Sequence, residues 1–160
     1  MKLTIKEANK DNFEALILFR ILLIKHDSEV DSNEEYTIDK IQKSIRYMKS
    51  YLRKKDNKYF LAYHNSLLIG YLHVTYDDKK KKNSSYLSEL YVLDSYRGQG
   101  VGKKLVYFQW KYLKKLNINE NTLTTALRKN KKTINFYKKL GYDIIKKSKK
   151  KNYVYFSKKL

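Results

Sequence analysis

The stretch ELYVLDSYRGQGVGKKL, residues 89 to 105, decides how the rest of the chain is read. It passes from a β-rich apolar segment, through a turn holding Gly98, Gly100 and Gly102, into the start of an amphipathic helix. Only five glycines occur in 160 residues, so three within five positions mark a backbone that another group approaches closely. A strand, a glycine-rich turn and a helix N-terminus in succession offer unpaired N–H groups and the positive end of a helix dipole, which suits an anion. Arg97 and Lys103 add charge beside that turn. The stretch has neither the GxGxxG of dinucleotide-binding turns nor the GxxxxGK[ST] of a P-loop.

Outward from this stretch, the patterning predicts one mixed α/β domain over residues 1–160. LTIKEA reads as a first strand, and Asp11 is expected to cap a helix over about 12–26 that is apolar on nearly every side. That helix is expected to be buried or to meet a partner, which points to a homodimer. After an acidic linker, Ile38, Ile41, Ile45, Met48 and Leu52 recur at helical spacing and give a second helix with one apolar face. KYFLAYH and SLLIGYLHVTYD form a hairpin turning at His64 and Asn65, and YLSELYVLD follows as a third β-rich run. Beyond the glycines come a helix over about 100–117, a strand LTTAL at 123–127, a helix over about 131–140 stopped by Gly141, and a terminal pair YDIIKK and NYVYFSKK. The Lys clusters at 79–82 and 146–151 fit hairpin loops.

Composition excludes several classes. There is no cysteine, hence no disulfide framework, thiolate metal site or cysteine nucleophile. His26, His64 and His73 show no ligand spacing, so no metal is expected and each reads as structural or surface. The most apolar run, ALILFRILLI at 15–24, holds Arg20 and is about half the length of a membrane span, and the charged N-terminus does not resemble a signal peptide. A cytoplasmic protein is the expectation. The net charge of +20 suggests nucleic acid, but 31 of the 36 basic residues are Lys, whereas base and phosphate recognition favours the Arg fork. Nucleic acid is therefore possible but not favoured.

The quoted stretch resembles the acetyl-CoA signature of the GNAT (GCN5-related) N-acetyltransferases, [RQ]xxGx[GA], with Arg97, Gly100 and Gly102 on the fixed positions. NKKTINFYKKLGY at 130–142 resembles the second signature of that family. The resemblance implies a mostly antiparallel sheet whose central parallel strands splay apart, with flanking helices. It implies acetyl-CoA as co-substrate, with its pantetheine arm along Leu90, Tyr91 and Val92 and its pyrophosphate on the turn made by Arg97, Gly98, Gln99, Gly100, Val101, Gly102 and Lys103. Asn130, a helix cap by position, and Thr133 are then coenzyme-binding too, and Tyr137 lies by the coenzyme sulfur as general acid. Glu89 is the candidate base, because an acceptor amine must lose a proton before or during attack.

The family acts on many amines, so the fold does not choose the acceptor. Residues 27–36, DSEVDSNEEY, concentrate acidic groups in a chain of charge +20, and by resemblance border the acceptor entrance. Glu34 and Glu35 are therefore candidate contacts for a small cationic amine such as a polyamine. The alternatives are a protein or aminoacyl-tRNA amine, or a protein that binds acetyl-CoA without catalysis.

Overall fold

The chain folds as β1 (Leu3–Glu7), α1 (Phe13–Val30), α2 (Ile38–Tyr51), β2 (Asn57–His64), β3 (Leu67–Tyr76), β4 (Ser84–Val92), α3 (Val101–Lys115), β5 (Glu120–Ala126), α4 (Lys131–Lys139), β6 (Asp143–Ser148) and β7 (Tyr153–Lys159), the predicted order. The structure, a computed structural model, describes residues 2–30, 34–76, 83–126 and 130–160. The strands form one sheet in the order β1-β2-β3-β4-β5-β7-β6. Among the described residues β4 and β5 are the one parallel pair, and every other neighbouring pair is antiparallel.

Both faces of the sheet are covered, which explains why β2 and β3 read as nearly continuous apolar runs. One face carries Phe60, Leu72, Val74 and Phe156 against Val101, Leu105, Val106 and Leu113 of α3. The other carries Tyr59, Leu61, Tyr71 and Tyr91 against Leu16, Phe19 and Leu23 of α1 and Met48 of α2. Successive side chains of a strand alternate faces, so Tyr59 and Phe60 serve different cores.

Several local expectations are corrected. Asp11 is not the cap; Asn9 is, its side chain accepting from the Asp11 amide at 2.9 Å while Asn12 reciprocates, and a 3₁₀ turn precedes α1. α1 continues to Val30, so Asp27 and Glu29 sit on a helix and not in a linker. Propensity differs by only a few tenths of a kcal/mol for such residues, and packing of the upstream helix outweighs it. The all-round apolar character of α1 has an internal cause: Ile17, Ile21 and Ile24 meet Ile41, Ile45 and Met48 of α2. Leu18, 63% exposed, and Leu22 remain on the outer side. Ile38, placed on the apolar face of α2, is the first residue of that helix and is 76% exposed. The hairpin turns at Asn65 and Ser66, both with positive φ, and His64 ends β2. Asp31, Lys79–Lys82 and Leu127 lie outside the described residues.

Candidate active site

Among the described residues β4 and β5 pair only through Ser84, Ser85 and Tyr86 opposite Glu120, Asn121 and Thr122. Just beyond, Glu89 pairs with His73 and Leu87 with Val74, leaving Ser88 as an extra residue in β4. A bulge bends its strand and re-aims side chains. Past it, the edge of β4 at Leu90, Tyr91 and Val92 that faces β5 has no strand partner among the described residues. A run of hydrogen bonds fixes where the opening starts. Trp110 Nε1 donates to the Tyr142 hydroxyl (3.2 Å), that hydroxyl to Asn121 Oδ1, Asn121 Nδ2 to Ser85 Oγ (2.9 Å), and Ser85 Oγ to the Glu120 carbonyl (2.9 Å).

The opening holds a groove of about 490 Å³. Leu90, Tyr91 and Val92 form one wall, Arg97, Gly98, Gly100, Val101, Gly102 and Lys103 its end, and Thr133, Phe136 and Tyr137 of α4 the other wall. Gly98 and Gly100 have φ of +76° and +80°, and a Cβ on either would meet nothing within 4 Å. Left-handed backbone, not crowding, therefore requires glycine at both. Gly102 lines the groove too, and a Cβ there would sit 3.4 Å from the Phe136 ring. Gly100 is the N-cap of α3, so the first amides of that helix, from Val101 to Lys103, lack intrahelical partners and face the groove.

The charges at the groove divide into two kinds. Arg97 is committed internally: Nε donates to the Val92 carbonyl at 2.9 Å, Nη2 lies 2.8 Å from Asp94 Oδ1, and the guanidinium rests over the Tyr91 ring. It braces the turn. Lys103, Lys132 and Lys139 line the groove, and the last two carried no motif signal in the sequence. Gln99 stands apart from the lining, its amide donating to the Ser95 carbonyl at 2.9 Å.

A second hollow, about 500 Å³, lies on the other side of the same opening and takes in Asp27, Glu34, Glu89, Asn130 and Tyr155. His26, Leu90, Thr133 and Tyr137 line both. Tyr137 is 5% exposed, and burial, followed by Tyr142, Tyr86 and Asp27, pushes its phenol well above the ordinary value, so its proton stays in place at physiological pH. Asn130 precedes α4 but makes no side-chain cap; its Nδ2 donates to Thr125 Oγ1 at 2.7 Å, tying α4 to the end of β5. Glu34 pairs with Lys40 at the rim of the second hollow, while Glu35 is exposed outside it.

Glu89 is where the sequence placed it, with partners the sequence did not reveal. Arg20 Nη1 lies 3.0 Å from Oε1, and the Tyr71 hydroxyl donates to Oε2 at 2.6 Å. Burial alone would raise the carboxyl, but the His73 ring, Arg20 and Tyr71 outweigh it and hold Glu89 at about 2. It is a permanent charge and a weak base. His26 is the residue that sequence reading passed over. Its ring meets the edge of Tyr91, and burial, then Arg97, lowers its pKa, so it is a neutral imidazole near pH 7. Nothing in its spacing could have found it, because α1 and β4 meet only in the folded chain. Among the described residues no group of three or more metal-ligating side chains occurs, and no helix is long and apolar enough to cross a membrane.

The family model for the acetyltransferase (GNAT) family matches residues 25–142. N-alpha-acetyltransferase 50 of Danio rerio is 30% identical over 93 residues, 58% of this chain, and the match spans about half (54%) of that relative's length. Among solved structures, the PaiA N-acetyltransferase of Thermoplasma acidophilum in complex with coenzyme A superposes with a TM-score of 0.79 at 24% identity, covering 100% of both chains. Naa50 of Arabidopsis thaliana, bound to a bisubstrate analogue CoA-Ac-MVNAL, does so at 0.73 and 21% identity, again over 100% of both. The chain belongs to the GNAT acetyltransferase family.

Proposed function

We propose that this chain is an acetyl-CoA-dependent N-acetyltransferase whose acceptor is a small cationic amine such as a polyamine. The observation that carries the reading is the meeting of two hollows along His26, Leu90, Thr133 and Tyr137, one fitted to an anionic coenzyme and one walled by carboxylates. When bound, acetyl-CoA supplies an activated acyl thioester. The amides of Val101 to Lys103, with Lys103, Lys132 and Lys139, suit its phosphates, and the unpaired edge of Leu90 to Val92 suits a pantetheine chain. The coenzyme complex of the Thermoplasma relative supports that fit.

The residues of the junction then take distinct parts. His26, neutral near pH 7, takes the proton from the attacking nitrogen as the new N–C bond forms. Tyr137 keeps its proton and donates a hydrogen bond to the departing sulfur. Glu89 works as a fixed negative charge beside the acceptor hollow, in place of the base suggested by its position. Asp27 and Glu34 extend that negative wall, which in a chain of charge +20 favours capture of a cation.

A second reading, a peptide α-amine as acceptor, is favoured by the likeness to N-alpha-acetyltransferase 50 and to Naa50 with its peptide-bearing analogue. Thiol release from acetyl-CoA, measured with a panel of polyamines and short peptides, separates the two. Steady turnover with a diamine, and a KM that rises when Glu34 and Glu35 are both changed to Gln, supports the first. Turnover only with peptides transfers the proposal to the second.

A further inference from the structure

A third hollow, about 360 Å³, opens beneath α2. Ser44, Tyr47, Met48 and Tyr51 of that helix form its roof, and Tyr59, His73, Ser88 and Glu89 its floor. Its walls are aromatic: Tyr47 stacks on Tyr51 at 6.1 Å, Tyr51 lies 5.6 Å from His73, and Tyr59 stacks on His73 at 4.1 Å. Arg20, Ser88 and Glu89 line this hollow and the acceptor hollow alike, so the two adjoin across the Ser88 bulge.

The polar atoms on the floor have a defined sense. Asn57 Nδ2 donates to Asp56 Oδ1 at 2.8 Å, which turns Asn57 Oδ1 toward His73 Nε2 at 3.0 Å. An amide oxygen only accepts, so His73 Nε2 carries a proton, and in the neutral ring the lone pair is then on Nδ1. His73 is 2% exposed, and its Nδ1 has no hydrogen-bond partner among the described residues. It stands 3.9 Å from Glu89 Oε1, beyond direct bonding, and with the ring neutral both are acceptors facing one space. Arg20 occupies the other side of Oε1. A buried acceptor without a donor costs free energy, and the group that removes that cost is an N–H or O–H donor placed between Nδ1 and Oε1. At about 30 Å³ per molecule, the hollow is far larger than one water needs. Tyrosine faces around a carboxylate suit an alkylammonium, through cation–π attraction and a charge-assisted hydrogen bond.

We propose that this hollow holds the distal ammonium of a diamine-type acceptor, donating to His73 Nδ1 and Glu89 Oε1 inside the cage of Tyr47, Tyr51 and Tyr59, while the other amine reaches the junction by His26 and Tyr137. This rests on the small-amine reading above and specifies its substrate as a chain with two cationic ends. Neither the signatures nor the acidic stretch at 27–36 points to it.

The test compares 1,4-diaminobutane with n-butylamine, of the same chain length but one ammonium. In the wild type kcat/KM should favour the diamine by about tenfold or more, and Tyr51→Leu, which keeps apolar bulk and removes the π face, should abolish that preference. The loss should fall on KM for the diamine, with kcat, n-butylamine kinetics and coenzyme affinity unchanged. His73→Phe, which keeps a ring and removes the acceptor, should act in the same direction, and circular dichroism confirms that each variant is folded. Equal use of the two amines by the wild type, or an unchanged preference in folded Tyr51→Leu, overturns the proposal while leaving the small-amine reading in place. If neither amine is turned over, the small-amine reading falls, and calorimetry of 1,4-diaminobutane with the protein alone decides the hollow. Binding lost in Tyr51→Leu upholds it, and no binding to the wild type overturns it.

Discussion

Replacing Glu89 by Gln perturbs the fold and the site through one atom pair. In the native chain Oε1 faces Arg20 at 3.0 Å and Oε2 accepts from Tyr71 at 2.6 Å, all within the protein. Gln keeps the shape and one acceptor, but leaves the Arg20 guanidinium without its counter-charge. With Arg20 23% and Glu89 14% exposed, removing one member costs less than the about 3–5 kcal/mol of a fully buried pair. The depressed carboxyl corresponds to a similar figure. The carboxyl moves from 4.5 to about 2 on folding, a difference worth about 3 kcal/mol above pH 5. Because the folded pKa is the lower one, that stability is complete above about pH 4.5 and is lost as pH falls toward 2, roughly 2 kcal/mol of it being gone by pH 3. Urea denaturation followed by circular dichroism from pH 3 to pH 7 reads both quantities. The variant should be less stable by about 3 kcal/mol at pH 7, and the gap should close as pH falls. A gap below about 1 kcal/mol at pH 7, or one that stays constant down to pH 3, would refute the view of Glu89 as a partly buried, permanently charged anchor.

Tyr137→Phe should lower kcat by roughly 10²-fold with coenzyme affinity nearly unchanged, since it deletes a hydroxyl and keeps the packed ring; wild-type turnover would leave Tyr137 as packing only. His26→Gln should lower kcat by a similar factor and remove the acidic limb of the pH–rate profile, a limb that in the wild type falls below an apparent pKa under 6.5 because the base must be neutral. Gly100→Val should destabilise the chain by about 1–2 kcal/mol through its φ of +80° and weaken coenzyme binding more than tenfold in the folded fraction, as isothermal calorimetry would show. Gln109, fully buried in α3 with neither amide atom hydrogen-bonded among the described residues, should be improved by Leu: Gln109→Leu should raise stability by about 1–3 kcal/mol, and an unchanged or lower melting temperature would count against an unpaired amide there.

What the sequence determined by itself is local in cause. The element order follows from periodicity, because each helix or strand writes its own buried face into its own residues. The glycine turn was legible for the same reason: left-handed φ at Gly98 and Gly100 is a property of single residues, and the helix that follows exposes its amides whatever lies elsewhere. The limits of this local reading show at Asp11 and Asn9, and at Asp27 and Glu29, where neighbouring polar residues differ too little in propensity to fix a boundary. Tertiary structure alone decided the chemistry of the site. Arg20, Glu89, Tyr71 and His73 come from α1, β4 and β3, and whether Glu89 is a base or a fixed charge depends on their approach to within a few ångströms. His26 enters the junction only because α1 lies across β4, and the cage of Tyr47, Tyr51 and Tyr59 closes only because α2 lies over the sheet. Electrostatic and cation–π energies fall steeply with distance and depend on burial, so residue types along the chain could nominate these groups, but only the fold could set their distances, their protonation and their partners.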